Sequence, residues 1–367
     1  MKAINVMHVT YDMRIGGTEM VIKNIIENVT DQPVTMSIFC IESPIGPWGQ
    51  KLQSSGVAIT CNARKPGFDL RLIFTIRAHI KAHNIDVIHC HQYTPWVYGA
   101  LAAFGLGKKV IFTEHGRFYP DTSSWKRRFI NPILVKITSS ITAISAATKQ
   151  ALAEYEFIPK SAISVVYNGI QLNNKNKTDK ASVRSRLNLK PDDLVFGTIA
   201  RFDPIKNQVL MINAFKTVNV NFPKSKLLMI GDGEMKQALV ALVAKLNLQD
   251  SVIFTGYLSY PLNYLAAMDV FLLSSLSEGT SMTLLEAMAL GKPCVVTDAG
   301  GNREIIINEE NGLVTANENA ELFSQAMQTL AIDSALLQKM GDAARVRFIT
   351  HFTAKRMNQK YYLLYEA

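Results

Sequence analysis

Two series of short apolar stretches, each alternating with helical stretches, constrain the fold more than any other feature of this chain. In the first series the apolar stretches are rich in Val, Ile and Phe, which is typical of buried strands. They lie at 4–10, 34–41, 57–60, 87–90, 110–114, 141–145 and 162–167. Helical patterns such as 18–29 and 70–83 lie between them. This alternation predicts a parallel sheet with helices on both faces.

A second series follows a polar run at 168–179, which is rich in Asn and Lys and predicts a domain boundary. Its apolar stretches lie at 195–201, 226–231, 252–255, 270–274, 293–297 and 312–314, and its helical patterns at 208–219, 235–246, 281–290 and 320–331. A length of 367 residues also favours two domains. We therefore expect an α/β protein with two doubly wound, Rossmann-like domains, 1–170 and 180–352, facing a cleft between them. The last stretch, 353–367, has the pattern of an amphipathic helix.

Composition indicates a folded protein without a membrane span. Apolar residues make up 48% and charged residues 19% of the chain. No apolar run approaches the roughly 18 residues that a spanning helix needs, and the first residues turn polar too soon for a signal peptide. The cysteines Cys40, Cys61, Cys90 and Cys294 form no C-x-x-C pair, so we expect free thiols in a reducing compartment. The expected location is cytoplasmic.

The formal net charge of +9 is concentrated in the first half of the chain. Residues 51–149 hold 14 basic and 4 acidic residues. Such a surplus fits an anionic partner, for example a membrane surface or a phosphate-bearing acceptor. A solvated basic surface without a partner is the alternative, and the sequence leaves both open.

Two glutamates eight positions apart mark the most informative site. Glu278 follows an apolar strand pattern, and Glu286 lies in the first turns of the next helical pattern. Open α/β sheets bind ligands at the carboxyl ends of their strands, and unpaired N–H groups at a helix N-terminus attract phosphate. Carboxylates on either side can accept hydrogen bonds from sugar hydroxyls. The pattern thus fits a ligand that carries both phosphates and sugars.

These residues resemble the E-x7-E signature of retaining glycosyltransferases of family 4, and the resemblance covers nearly the whole chain. Gly16 and Gly17 resemble the family's amino-terminal glycine loop, and Thr113-Glu114-His115-Gly116 resembles its active-site histidine segment. Arg201 and Lys206 resemble its diphosphate clamp. The resemblance implies the GT-B architecture, with an acceptor-binding first domain, a donor-binding second domain, and a terminal helix that packs back onto the first.

The resemblance also implies roles for individual residues. His115, Glu278, Arg201 and Lys206 are the expected catalytic residues, and Glu286 is expected to bind the ribose hydroxyls. The donor site as a whole is expected to comprise Gly16, Gly17, Arg201, Lys206, Gly231, Gly233, Gly256, Tyr257, Glu278, Gly279, Thr280, Ser281, Met282, Thr283, Leu284 and Glu286. Many relatives carry an aromatic residue and a proline where this chain has Thr280-Ser281-Met282, so the pattern leaves the donor sugar open. No cofactor and no metal are expected.

His89 and His91 are two residues apart on a strand pattern and would face the same side, as metal ligands can. No third ligand lies near them in sequence, so we do not expect a metal site.

The basic cluster Lys126-Arg127-Arg128 precedes an apolar stretch at 130–137. This makeup suits an interfacial membrane segment and equally an amphipathic helix packed on a sheet.

The function expected from these features is transfer of a hexose from a nucleotide diphosphate sugar, with UDP as the favoured nucleotide, to an acceptor hydroxyl. A lipid-linked saccharide in polysaccharide or lipopolysaccharide assembly is the expected acceptor, with possible peripheral contact at the inner face of the cytoplasmic membrane and no nucleic-acid partner. Three alternatives remain: a sugar-nucleotide epimerase on the same architecture, a glucan phosphorylase, which needs a much longer chain, and a non-catalytic sugar-nucleotide-binding protein.

Overall fold

The computed structural model describes residues 3–29, 33–116, 122–171, 180–258 and 261–367. It divides into two compact units, Met1–Gln171 together with Thr353–Ala367, and Leu172–Phe352. Most of the polar run at 168–179, where we predicted the domain boundary, lies outside the described residues.

The first unit is a parallel sheet with its strands in the order β3-β2-β1-β4-β5-β6-β7. The strands are β1 (Ile4–Thr10), β2 (Val34–Cys40), β3 (Ala58–Cys61), β4 (Val87–His91), β5 (Lys109–Glu114), β6 (Ser140–Ala143) and β7 (Ile163–Val165). The helices that connect them are α1 (Gly17–Glu27), α2 (Pro47–Ser54), α3 (Leu70–Ala82), α4 (Tyr93–Ala103), α5 (Arg127–Lys136) and α6 (Ala146–Tyr155).

The second unit is a parallel sheet in the order β10-β9-β8-β11-β12-β13. Its strands are β8 (Leu194–Ile199), β9 (Ser225–Ile230), β10 (Val252–Gly256), β11 (Val270–Leu273), β12 (Cys294–Thr297) and β13 (Gly312–Thr315). Its helices are α7 (Lys180–Arg186), α8 (Gln208–Asn221), α9 (Lys236–Lys245), α10 (Leu262–Ala267), α11 (Met282–Ala289), α12 (Asn302–Ile305), α13 (Ala320–Ile332) and α14 (Ser334–His351). The predicted fold class of two doubly wound parallel sheets is confirmed.

The last helix, α15 (Ala354–Glu366), belongs to the first unit although the whole second unit separates it in sequence. Its inner face buries Tyr361 and Tyr365 completely or nearly so. The Tyr365 hydroxyl lies 2.9 Å from Nδ1 of His89, and the side-chain amide of Asn358 donates to the carbonyl oxygen of Ile25. These buried contacts make α15 part of the first unit's core.

None of the described helices is both long and apolar enough to cross a bilayer. The longest of them, α14, is 18 residues long and contains several charged side chains. We did not predict α14 from the sequence, because its apolar residues follow a weak period and two of them, Val346 and Ile349, are exposed.

Candidate active site

The predicted donor site is built on two loops that begin side by side in the second sheet. β8 and β11 are neighbours, and the order of the strands reverses between them. Such a switch point leaves a crevice at the carboxyl ends of the strands, which is where open α/β sheets bind ligands. One loop, after β8, carries Arg201 and Lys206, and the other, after β11, carries Glu278.

The loop after β8 is held in a single turn by Asp203. Oδ1 of this carboxylate accepts the backbone N–H of Lys206 at 3.0 Å, which closes a short 3₁₀ turn, Pro204–Lys206. Oδ2 pairs with Nε of Arg201 at 2.6 Å. The Arg201 side chain is 75% exposed, so its guanidinium can leave this partner at small cost. Asp203 was not among the predicted site residues.

Lys206 and Glu278 are brought into direct contact by the fold. Nζ of Lys206 lies 2.7 Å from Oε1 of Glu278, and the hydroxyl of Ser275 donates to the same oxygen at 2.6 Å. The Glu278 side chain is only 8% exposed. A buried carboxylate needs such partners, because an unpaired charge is costly away from water. Ser275 was not predicted, since a serine at a strand end carries no distinguishing pattern.

Further hydrogen bonds join the two loops directly. The hydroxyl of Ser274 donates to the carbonyl oxygens of Lys206 and Asn207, and the Leu276 N–H donates to the carbonyl oxygen of Ile205. Both loops therefore hold the Lys206–Glu278 pair as one connected piece of structure.

Helix α11 begins directly after this pair and is capped by its own Ser281. The Ser281 hydroxyl accepts the Leu284 N–H at 3.4 Å and lies 3.2 Å from the Thr283 hydroxyl. A ligand phosphate that took the Leu284 N–H would have to replace this cap.

Glu286 lies on α11 without a charged partner among the described residues. Its side chain is partly buried, and burial raises the pKa of its carboxyl to about 7. Desolvation disfavours the charged form of a carboxyl, whereas hydroxyl donors from a ligand would favour it. The position thus suits a group that accepts two hydrogen bonds on ligand binding.

The predicted glycines Gly231 and Gly233 pack against the protein's own backbone. Their φ angles are +143° and +156°. A Cβ at Gly231 would lie 2.0 Å from the carbonyl oxygen of Ala200, and one at Gly233 would lie 2.3 Å from that of Phe202. Close packing onto the loop after β8 therefore already requires these two glycines. Gly231 also donates its N–H to the carbonyl oxygen of Gly256, and Tyr257 beside it is 57% exposed.

A second glycine pair, Gly300 and Gly301, supports Glu278 from the loop after β12. Gly300 has a φ of +55°, and a Cβ there would lie 2.0 Å from the carbonyl oxygen of Glu278. Gly301 donates its N–H to the same oxygen at 3.0 Å. We did not predict this pair, although adjacent glycines after a strand are the same signal that singled out Gly16 and Gly17.

Three of the predicted residues, Gly16, Gly17 and His115, lie in the first unit. Gly16 precedes α1, and a Cβ there would lie 2.4 Å from Oε2 of Glu19, so this carboxylate lies beside the glycine turn. Burial raises the pKa of Glu19. The space beside Gly17 is open. A ligand phosphate at this turn would meet a carboxylate, which the sequence pattern did not reveal.

His115 follows β5 and is the end of a row of histidines. Its Nε2 lies 2.9 Å from Nδ1 of His91, and Nε2 of His91 lies 2.9 Å from Nδ1 of His8. His8 is on β1 and His91 is on β4, so the row crosses the switch point of the first sheet. Burial lowers the pKa of both His8 and His115 to about 3, and that of His91 well below its usual value.

His89 and His91 face the same side, as predicted, and their ring centroids lie 4.2 Å apart. The fold also brings His8 close enough for one nitrogen of each of the three rings to lie within 4.8 Å of the others. The sequence did not indicate this third ring, because His8 is far from the pair in sequence. Both nitrogens of His89 have hydrogen-bond partners, the Thr113 hydroxyl at 2.7 Å and the Tyr365 hydroxyl at 2.9 Å.

The sequence matches two known families of proteins. The family model described as "Glycosyl transferases group 1" matches residues 179–347, and the one described as "Glycosyltransferase Family 4" matches residues 15–174. The chain belongs to the family 4, group 1 glycosyltransferases. The expected family and enzyme class are confirmed.

Individual relatives agree with this assignment. UDP-Gal:alpha-D-GlcNAc-diphosphoundecaprenol alpha-1,3-galactosyltransferase of Escherichia coli is 25% identical, over 97% of this chain and 95% of the relative. N-acetyl-alpha-D-glucosaminyl L-malate synthase of Bacillus anthracis is 28% identical, over 82% of this chain and 79% of the relative. The Anabaena protein HepE, solved in complex with UDP, superposes with a TM-score of 0.85 at 20% identity and covers 98% of this chain and 99% of its own. This likeness shows that the present chain has the GT-B fold.

Proposed function

We propose that this glycosyltransferase moves a hexose from a UDP sugar to an acceptor hydroxyl with retention of the anomeric configuration. The contact between Lys206 and Glu278 at the switch point of the second sheet carries the proposal. It places a cation for phosphate beside a carboxylate for sugar hydroxyls on two joined loops. The E. coli relative uses UDP-galactose and HepE binds UDP, which supports UDP as the nucleotide.

In the proposed mechanism the two cations of the donor site stabilise the leaving diphosphate. Lys206 would keep its bond to Glu278 and offer its other N–H groups to a phosphate oxygen, because an ammonium has three donors. Arg201 would leave Asp203 and bind the diphosphate as a planar fork. These two residues supply the positive charge in the proposed site, so the proposal includes no metal and no cofactor.

The reaction is proposed to proceed by attack on the face that the diphosphate leaves. The acceptor oxygen bonds to the anomeric carbon, the bond from that carbon to the phosphate oxygen breaks, and the acceptor proton passes to the departing phosphate. Fixed charges near the oxocarbenium-like centre lower the barrier. Glu278 and His115 are proposed to contact the transferred sugar, and Glu286 the ribose hydroxyls.

A panel of UDP, GDP, ADP and dTDP sugars tests the donor assignment. Thermal unfolding and consumption of each donor are measured with and without acceptor mixtures. Of the four nucleotide sugars, we expect only the UDP sugar to raise the melting temperature and to be consumed. A ligand that binds only the folded state stabilises that state. Preference for another nucleotide would overturn the UDP assignment, and isomerisation of the donor without acceptor would favour an epimerase.

We propose a lipid-linked saccharide as the acceptor, with peripheral membrane contact through α5 of the first unit. Trp125, Phe129 and Ile133 on and beside this helix are 71%, 65% and 63% exposed, whereas Leu134 is buried. Lys126 and Arg128 adjoin these apolar side chains. Exposed apolar residues among basic ones fit an anionic lipid surface. The diphosphoundecaprenol acceptor of the E. coli relative supports a lipid carrier, whereas the malate synthase uses a small acceptor.

Sedimentation with vesicles tests the membrane contact. We expect binding to vesicles that contain phosphatidylglycerol, weakened at high salt and in a Phe129→Ser, Ile133→Ser double variant. Val346→Ser is the matched control, because Val346 is 64% exposed in the second unit. The membrane proposal fails if the wild type does not bind these vesicles and acts on a lipid-free acceptor.

A further inference from the structure

The histidine row contains two hydrogen bonds between imidazole rings and two unused ring nitrogens. Nδ1 of His115 and Nε2 of His8 are shielded from solvent and have no hydrogen-bond partner among the described residues. These two nitrogens are the outer ends of the row. Between them, every ring nitrogen of His8, His91 and His115 is engaged with its neighbour.

Counting protons leaves only two arrangements for the row. Burial keeps all three rings neutral, so each carries one N–H. Each of the two ring-to-ring hydrogen bonds uses one N–H, and one N–H remains at an outer end. If it is at Nδ1 of His115, Nε2 of His8 is bare; if it is at Nε2 of His8, Nδ1 of His115 is bare. The two ends therefore change together.

The row stands apart from the neighbouring hydrogen bonds of His89. That ring contacts the Thr113 hydroxyl, which lies 2.6 Å from the Thr142 hydroxyl, and on its other side the Tyr365 hydroxyl. The Thr142 hydroxyl also donates to the carbonyl oxygen of Phe112. His89 thus packs against the row without a hydrogen bond to it, and His91 is the one link between His115 and His8 in the described structure.

We propose that His91, with His8 behind it, is a positioning residue that holds His115 by Nε2 and determines whether its buried Nδ1 carries an N–H or a lone pair beside the sugar site. The inference rests on the proposed contact between His115 and the sugar. Next to a centre that develops positive charge, the lone pair is the favourable form. The remaining proton then lies on Nε2 of His8.

Kinetics of paired variants test the positioning role. His91→Phe removes both ring hydrogen bonds, and we expect kcat to fall about ten- to hundredfold, the range found when the hydrogen-bond partner of a metal-bound histidine is removed. His91→Asn keeps a polar atom near the position of Nδ1 and should restore much of kcat. KM for the UDP sugar should change little in either variant, since the proposed nucleotide contacts belong to the second unit. His83→Asn, at the end of α3, is the control and should match the wild type.

Nitrogen-15 spectra of the histidine side chains give a readout that does not depend on turnover. The chain has seven histidines, few enough for assignment by substitution. We expect the wild type with UDP to show His115 with a bare Nδ1, and His8→Asn to alter the His115 signals across the intervening ring. Unfolding curves recorded on the same samples show whether each variant is folded.

The outcomes separate this inference from the proposed function. Unchanged turnover in His115→Ala would remove the proposed role of His115 itself. A loss of turnover in His115→Ala, together with wild-type kcat in folded His91→Phe, would overturn the positioning role alone. The positioning role would also be overturned if the nitrogen signals of His115 were the same in the wild type and in His8→Asn.

Discussion

At the scale of single residues, the site depends on how each charge is paired in the absence of ligand. Glu278 is nearly buried and shares one oxygen with Lys206 and Ser275, whereas Arg201 is exposed and held by one carboxylate. Arg201, Lys206 and Glu278 were predicted from the sequence through its resemblance to the family. Their pairing could not be predicted, because it depends on which loops lie side by side.

Replacement of Lys206 tests this pairing. Lys206→Ala removes the proposed phosphate contact and leaves the Ser275 hydroxyl as the side-chain partner of Glu278 among the described residues. We expect kcat/KM for the UDP sugar to fall roughly 100- to 1000-fold, the usual effect of removing one such charge contact. The unfolding free energy should fall by about 1–3 kcal/mol, because a buried acceptor loses its partner. Lys224→Ala, an exposed ion pair in the same unit, is the kinetic control. Wild-type kinetics in Lys206→Ala would contradict the proposed site.

Glu286 predicts a pH dependence of stability. Its folded-state pKa, about 7, is above the ordinary value of 4.5, so ionisation is disfavoured in the folded protein. The stability that this group contributes is present below its unfolded pKa and is lost as pH rises through about 7. A pKa difference of one unit corresponds to about 1.4 kcal/mol, and partial exposure of Glu286 reduces the effect. The unfolding free energy should therefore fall by roughly 1–3 kcal/mol over this pH range. Glu286→Gln should remove this loss, measured by denaturant unfolding at pH 5 and pH 8.5.

The same substitution should weaken nucleotide binding. An ionised Glu286 can accept two ribose hydroxyls, whereas an amide has one acceptor oxygen. We expect the Kd of UDP for the wild type to fall relative to that for Glu286→Gln as pH rises from 6 to 8. Calorimetric titration of both proteins at each pH separates this effect from protonation of UDP itself. An equal ratio of the two Kd values at both pH values would contradict the ribose assignment.

At the scale of elements, strand and helix patterns were readable, whereas the connections that shape the site were not. β1 was predicted to the residue, and β4, β8 and β11 to within one or two, because short runs of β-branched residues have few alternatives. The supporting glycines Gly300 and Gly301 were missed. Their function depends on contact with the backbone of Glu278, which lies on another strand's loop.

Gly300→Ala tests this support between loops. A Cβ would meet the Glu278 carbonyl oxygen at 2.0 Å, and the φ of +55° disfavours alanine in addition. We expect a fall in stability of about 2–4 kcal/mol and reduced turnover of the donor, since Glu278 must shift. Gly107→Ala is the matched control, because its φ of +65° is similar but its Cβ would be in open space. Equal effects of the two substitutions would show that backbone strain alone matters.

At the scale of the whole molecule, the first unit is completed by the chain's last helix. Tyr361 of α15 is fully buried, and Asn358 bonds to α1. The amphipathic pattern of 353–367 was visible in the sequence, and its expected packing on the first domain came from the family resemblance. Amphipathicity shows that a helix has a partner but does not identify it.

Truncation of one side chain tests how far the first unit depends on α15. Tyr361→Ala should reduce the unfolding free energy of the first unit by about 3–5 kcal/mol, as for other large buried side chains. UDP should still raise the melting temperature of the variant, since the proposed nucleotide contacts lie in the second unit. Leu363→Ala, at a position 63% exposed on the same helix, should be nearly neutral. Scanning calorimetry with and without UDP measures these effects.

The amino-acid sequence alone determined the two parallel sheets and, through residue types at strand ends, which side chains are available for chemistry. Those features follow from local periodicity and from the chemistry of each side chain, which depend little on distant parts of the chain. Only the tertiary structure joined His8, His91 and His115 into one row, paired Lys206 with Glu278, and placed Gly300 against Glu278. Each of these contacts links segments on different strands, so strand order and register decide it.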